Sequence, residues 1–128
     1  MSVQGKRVLV VGGETALGRA IAIGLAEAGA DVAVASLAKD TEFAINSALN
    51  EVWAIGRRGV ALAIDARNAV ELREAVARAE AELGPLDAAI VVGEVPALHD
   101  AMGERTVIDM PEDIEPERAL RDVIGQLE

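Results

Sequence analysis

Residues 7–19 read Arg7-Val-Leu-Val-Val-Gly-Gly-Glu-Thr-Ala-Leu-Gly-Arg19, and the rest of the chain is best read outward from them. Val8 to Val11 form an unbroken apolar run that stops at Gly12-Gly13. A strand wetted on one face would alternate polar and apolar residues, so a continuous run of this length points to a strand buried on both faces. From Leu17 the period changes. Leu17, Ala20, Ile21, Gly24, Leu25 and Ala28 recur at helical spacing, and Gly29 stands where a left-handed C-terminal cap belongs. The stretch is therefore strand, glycine turn, helix.

The same unit repeats downstream. Asp31 to Ala35 reads as a second strand. Asp40 or Thr41 can cap a helix carrying Phe43, Ile45, Leu49, Val52 and Trp53, which Gly56 and Gly59 stop. Trp53, spaced from Leu49 on that helix, reads as a packing residue. Val60 to Ile64 is a third strand closed by Asp65, and Asn68 caps a helix running to about Leu83. Leu86 to Val92 is a fourth strand after the break at Gly84-Pro85. Pro96 to Met102 reads as a short helix, Arg105 to Ile108 as a fifth strand and Glu115 to Leu127 as a final helix. Strict alternation implies parallel strands joined by right-handed crossovers. The expected fold is a doubly wound, Rossmann-like α/β sheet of five strands in the order 3-2-1-4-5, with helices one and two opposite helices three and four.

Composition sets the outer bounds. At 128 residues and 52% hydrophobic content the chain can build one core, so residues 1–128 are expected to form a single domain. No apolar stretch approaches the roughly 18 residues of a membrane span. Met1 to Lys6 do not resemble a signal peptide, so a cytoplasmic location is expected. There is no Cys and one His, which excludes disulfides, thiolate chemistry and His-cluster metal sites. A net charge of -10 argues against nucleic acid or an anionic membrane as partner. The acidity concentrates at residues 94–128, where the run Glu112 to Glu117 reads as the solvated start of the last helix.

The glycine turn carries the functional signal. Gly12 permits a sharp turn and Gly18 lets the helix lie close to the strand, so that free N–H groups at the helix start can face a phosphate. With these residues quoted, the chain resembles the short-chain dehydrogenase/reductase family, whose fingerprint at this turn is Thr-Gly-x-x-x-Gly-x-Gly. Gly12 and Gly18 match it, while Val11 replaces the Thr and Ala16 the middle Gly. Leu25-Ala-Glu-Ala-Gly-Ala30, Ile64-Asp65 and Gly84-Pro-Leu-Asp87 are similar to family segments in the same order. The resemblance covers about residues 5–92, so residues 1–93 look like the cofactor half and 94–128 a divergent acidic segment.

The resemblance implies an NAD or NADP site. Its candidate residues are Gly12, Gly13, Thr15, Leu17 and Gly18 at the turn, Ser36 and Lys39 after strand two, Asp65 and Ala66 after strand three, with Asp65 on the adenine, and Gly93 after strand four. Strand two lacks the acidic residue that would hold the ribose of NAD, and Ser36 with Lys39 could accept a 2′-phosphate, which favours NADP. Glu14 and the methyl of Ala16 both work against phosphate binding.

The departures bear on catalysis. The family's Asn-Asn-Ala-Gly after strand four is Val91-Val92-Gly93-Glu94 here. The Tyr-x-x-x-Lys pair has no counterpart, because the chain has no Tyr and only Lys6 and Lys39, and no Ser follows strand three. Without them the family's proton transfer has no acid or base. The expectation is a trimmed domain with a nucleotide-type pocket, inactive alone, that self-associates through an open fifth strand or, if the acidic turn and Pro116 hold the last helix away from its own sheet, through the apolar stripe Leu120, Val123, Ile124 and Leu127. Two alternatives stay open. One is an oxidoreductase subunit completed by a partner chain or using His99 or Glu94; the other is an interaction scaffold with a vestigial pocket. His99 beside Asp100 reads better as a solvent-exposed pair, and Glu94 reads at least as well as a surface carboxylate in a loop. A signalling receiver domain is excluded, since Gly12-Gly13 and Asp109-Met110 stand where its acidic pair and Lys belong.

Overall fold

The computed structural model describes residues 3–128. Its elements alternate without exception: β1 (Arg7–Val11), α1 (Ala16–Glu27), β2 (Asp31–Ala35), α2 (Glu42–Ile55), β3 (Gly59–Leu62), α3 (Ala69–Leu83), β4 (Ala88–Val92), α4 (Pro96–Met102), β5 (Thr106–Met110) and α5 (Pro116–Leu127). The strands form one parallel sheet in the order β3-β2-β1-β4-β5. The expected Rossmann-like topology is what the chain adopts.

The two-residue period of the strands divides the core. Val8, Val10, Val32, Val34, Ala88 and Ile90 point to one face, where Ile21, Leu25, Ile45, Val52 and Val123 cover them. Leu9, Val11, Ala33, Ala35, Ala89 and Val91 point to the other, against Leu72, Ala75, Ala79, Leu98 and Met102. Helices α1, α2 and α5 therefore lie on one side, with α3 and α4 on the opposite side. Each fully buried Leu, Ile or Val contributes roughly 1.5–3 kcal/mol, which makes a one-residue slip of any central strand untenable.

Five expectations need correction. Helix α5 is not held away from its own sheet: Ala119, Val123 and Leu127 are buried, and Leu120 rests where Gly24 of α1 lacks a side chain. Its stripe is thus occupied within the chain. Phe43 and Trp53 are 90% and 55% exposed, because α2 packs through Ile45, Ala48, Leu49 and Val52. The Trp53 indole N–H donates to the Gly59 carbonyl at 3.3 Å. Strand β3 ends at Leu62, since the main-chain groups of Ile64 are taken by the Ser36 hydroxyl instead of a neighbouring strand. Strand β5 runs two residues further than expected, pairing Val92 with Met110. Thr41 occupies the N-cap position of α2, yet its hydroxyl donates back to the Ala38 carbonyl at 2.8 Å.

Candidate functional site

The turn between β1 and α1 is fastened from three sides. The N–H groups of Gly12 and Gly13 both donate to the Ala35 carbonyl, at 2.8 and 3.0 Å, which ties the turn to the end of β2. The Thr15 hydroxyl donates to the Gly12 carbonyl at 2.7 Å and accepts from the Gly18 N–H at 2.9 Å, capping α1. Gly12 has φ +104°, in the region that L side chains avoid. A Cβ on Gly13 would strike Val34, and one on Gly18 would strike the Gly12 carbonyl. These glycines are thus required by contact with strand and turn.

With the Gly18 N–H capped and the Arg19 N–H bonded to the Thr15 carbonyl, no described residue accepts from Ala16 or Leu17. Their N–H groups stand at the positive end of the α1 dipole, as the first turn of a helix leaves them. Ala16 is exposed at this opening and Leu17 is buried beside it. Arg19, the nearest cation in sequence, faces α2 through Ser47 at 3.0 Å and Glu51 at 3.7 Å. An anion here would be held by backbone amides rather than side-chain charge.

Around this turn lie the carboxyl ends of β2 and β4. A Cβ on Gly12 would meet Val92 Cβ at 3.1 Å and Leu37 Cδ1 at 3.2 Å, so the turn, the segment after β2 and the end of β4 share one crevice. It sits between β1 and β4, where the strand order reverses, and that is the place at which open α/β sheets bind ligands. Gly93, at φ +94°, donates its N–H to the Met110 carbonyl at 2.8 Å and closes the far side.

The other expected residues have partners within the chain. Ser36 is fully buried, and its hydroxyl donates to the Ile64 carbonyl at 2.6 Å and accepts from the Ile64 N–H at 2.8 Å. It is a strut between β2 and the chain after β3 and has no capacity left for a 2′-phosphate. Lys39 is exposed and faces Glu71 at 3.6 Å. Asp65 caps its own turn, with Oδ1 accepting from the Arg67 N–H at 3.0 Å and from Nε at 3.2 Å. The Arg67 hydrogen bond holds the Asp65 carboxyl below the ordinary aspartate range. Ala66 is buried and donates its N–H to the Leu37 carbonyl at 3.0 Å, which joins the loops after β2 and β3.

One contact escapes a reading of the sequence. Glu14 turns away from the helix start, and its carboxylate accepts from the N–H groups of Leu37 and Ala38 at 2.9–3.0 Å. Its charge lies at the end of β2 and not over the open amides of α1. On the β4–β5 side, a recess of about 290 Å³ is lined by Gly93, Glu94, Asp109, Met110 and Pro111. His99 pairs with Asp109 at 3.1 Å rather than with its neighbour Asp100. Among the described residues no group of three or more His, Asp or Glu could hold a metal, and no helix is long and apolar enough to cross a membrane.

Comparison with known proteins places this geometry. A family model described as short chain dehydrogenase matches residues 6–103. L-rhamnose 1-dehydrogenase (NAD(P)(+)) of Sphingomonas sp. strain SKA58 is 33% identical over 111 residues, which cover 87% of this chain and 41% of that enzyme. A 7α-hydroxysteroid dehydrogenase solved with NADH and 7-oxo glycochenodeoxycholic acid superposes with a TM-score of 0.65 at 28% identity, over 70% of this chain and 34% of that one. A blue fluorescent protein from a metagenomic library, solved with NADPH, gives a TM-score of 0.65 at 32% identity over 70% and 36%. The chain spans 32–46% of the length of the curated relatives it matches.

Proposed function

Because the chain belongs to the short-chain dehydrogenase family, we propose that its glycine turn and the adjoining ends of β2, β3 and β4 bind a nicotinamide adenine dinucleotide. The observation that carries this reading is the pair of open N–H groups, Ala16 and Leu17, at the helix start where the sheet order reverses. They would take the pyrophosphate oxygens, with Thr15 and the Gly12–Gly18 contact keeping the turn rigid. Asp65 and Ala66 would border the adenine, and Gly93 the nicotinamide end. When bound, the dinucleotide supplies the hydride donor or acceptor. The chain's own part is to position it and to exclude water from the crevice.

These 128 residues would not complete a dehydrogenase reaction unaided. A carbonyl reduced by hydride needs a proton, and the family's Tyr and Lys have no counterparts here, Lys6 and Lys39 lying before β1 and after β2. The recess beside His99 and Asp109 supports a second reading, in which a substrate is held there and a partner chain supplies the missing acid. Self-association belongs to the same proposal. With the α5 stripe packed on α1, the open edge of β5 would serve it.

Titration calorimetry with NAD, NADP and AMP tests the site. Binding of a dinucleotide that is lost in Ala16→Glu, an exposed substitution placing a carboxylate beside the open amides, is the expected result. A chain that binds none of the three refutes the reading. Turnover of alcohols or ketones by the purified chain would refute the claim that it is inactive alone, and light scattering at the mass of one 13.3 kDa chain would remove self-association.

A further inference from the structure

Glu14 is an acidic group built into the crevice, and its position bears on the choice between NAD and NADP. In dinucleotide-binding sheets a carboxylate near the end of the second strand accepts the ribose 2′-hydroxyl and repels a 2′-phosphate. Here the end of β2 runs into Ser36, which is buried and spent on Ile64. The carboxylate arrives instead from the neighbouring loop. Glu14 Oε1 and Oε2 both accept from the Leu37 N–H, and Oε2 also accepts from the Ala38 N–H. Two backbone amides thus fix the charge just beyond the end of β2. A carboxylate oxygen can accept more than one hydrogen bond, so a hydroxyl can still be received. A second anion cannot, because the amides that would neutralise it are already taken. The cations of the region offer no compensation, since Lys39 faces Glu71 and Arg67 faces Asp65.

Resting on the dinucleotide reading above, we propose that Glu14 is the specificity-determining residue of the site: it takes the place of the missing acidic residue of β2, admits NAD and rejects NADP. This reverses the preference that Ser36 and Lys39 suggested. Two like charges brought within a few ångströms in a partly buried crevice should separate the two ligands by on the order of 100-fold in Kd.

The test titrates wild type and Glu14→Gln with NAD, NADP, AMP and adenosine 2′,5′-bisphosphate, the last pair isolating the 2′-phosphate from the nicotinamide. Wild type is expected to favour NAD and AMP over their 2′-phosphorylated counterparts, and Glu14→Gln to narrow both gaps at least tenfold. The variant also loses an acceptor between the loops, so its melting temperature and the Leu37 and Ala38 amide resonances are followed alongside. If wild type binds NADP as tightly as NAD, the assignment of Glu14 falls while the dinucleotide site stands. An unchanged gap in a folded Glu14→Gln has the same meaning. If neither protein binds any of the four ligands, the dinucleotide reading and the role of Glu14 fall together.

Discussion

Replacing glycine by alanine at three helical positions should produce graded results from one chemical change. In an unobstructed helix interior the substitution gains about 1 kcal/mol by lowering the entropy of the unfolded chain. Gly125 in α5 has nothing within 4 Å of an added Cβ, so Gly125→Ala should be stabilised by about 0.5–1 kcal/mol. At Gly24 the methyl would meet the Leu120 side chain, with Cδ1 at 2.8 Å. The end of a half-buried leucine can rotate, which offsets most of the gain, and the net change should stay within about 1 kcal/mol of zero. At Gly18 the obstacle is backbone: the Gly12 carbonyl, with its carbon 2.6 Å from the added Cβ and the capping Thr15 hydroxyl at 3.0 Å. That carbonyl belongs to a turn pinned by two hydrogen bonds to Ala35, so α1 must lift away from β1. Overpacking of roughly 1–3 kcal/mol plus a weakened cap of about 1 kcal/mol outweighs the propensity gain, leaving a net loss of about 2 kcal/mol. Urea unfolding followed by far-UV circular dichroism measures all three, provided the m-values agree. Gly18→Ala as stable as Gly125→Ala would refute the close approach of helix to turn.

Ser36→Ala should cost about 2–3 kcal/mol, because it strands the buried N–H and carbonyl of Ile64, and should leave nucleotide affinity unchanged; weakened binding in a variant of native melting temperature would restore Ser36 to the site. Asp65 offers a pH test. Its carboxyl is held down by the Arg67 hydrogen bond, so whatever it contributes to stability is present above the ordinary aspartate pKa and is lost as pH falls through the lower folded value. Carbon-detected NMR titration should find its midpoint below the usual aspartate range, and Arg67→Ala, which removes the guanidinium but keeps the backbone N–H that also bonds Asp65, should raise it only part of the way back; an equal midpoint in both proteins would remove the side-chain pair.

What the sequence made legible follows from how local each signal is. The strands were readable because burial on both faces leaves an unbroken run of Val, Ile, Leu and Ala, and Gly12 and Gly18 because a turn this tight tolerates nothing larger. Phe43 and Trp53 misled, since helical spacing identifies a stripe but not its width: Ile45, Ala48, Leu49 and Val52 already fill the contact with the sheet. Ser36 looked available because a hydroxyl after a strand resembles a ligand group, and only the fold brings Ile64 onto it. Glu14 was legible as a charge near phosphates but not as a partner of Leu37 and Ala38. Its direction depends on how two crossovers place their loops side by side, and no window of sequence contains both.

Helix α5 resting on Gly24 also has a consequence for the order of events during synthesis. β1, the glycine turn and α1 leave the ribosome well before residues 116–127, so the outer ridge of α1 stays wet until those residues arrive to cover it. Closing so long a loop spends entropy before any contact returns it, which delays the final consolidation of α1. The backing of α1 is therefore completed by a helix that contributes none of the residues proposed for binding, and a nascent chain stalled before residue 116 would display the glycine turn on a helix still wet along its outer ridge.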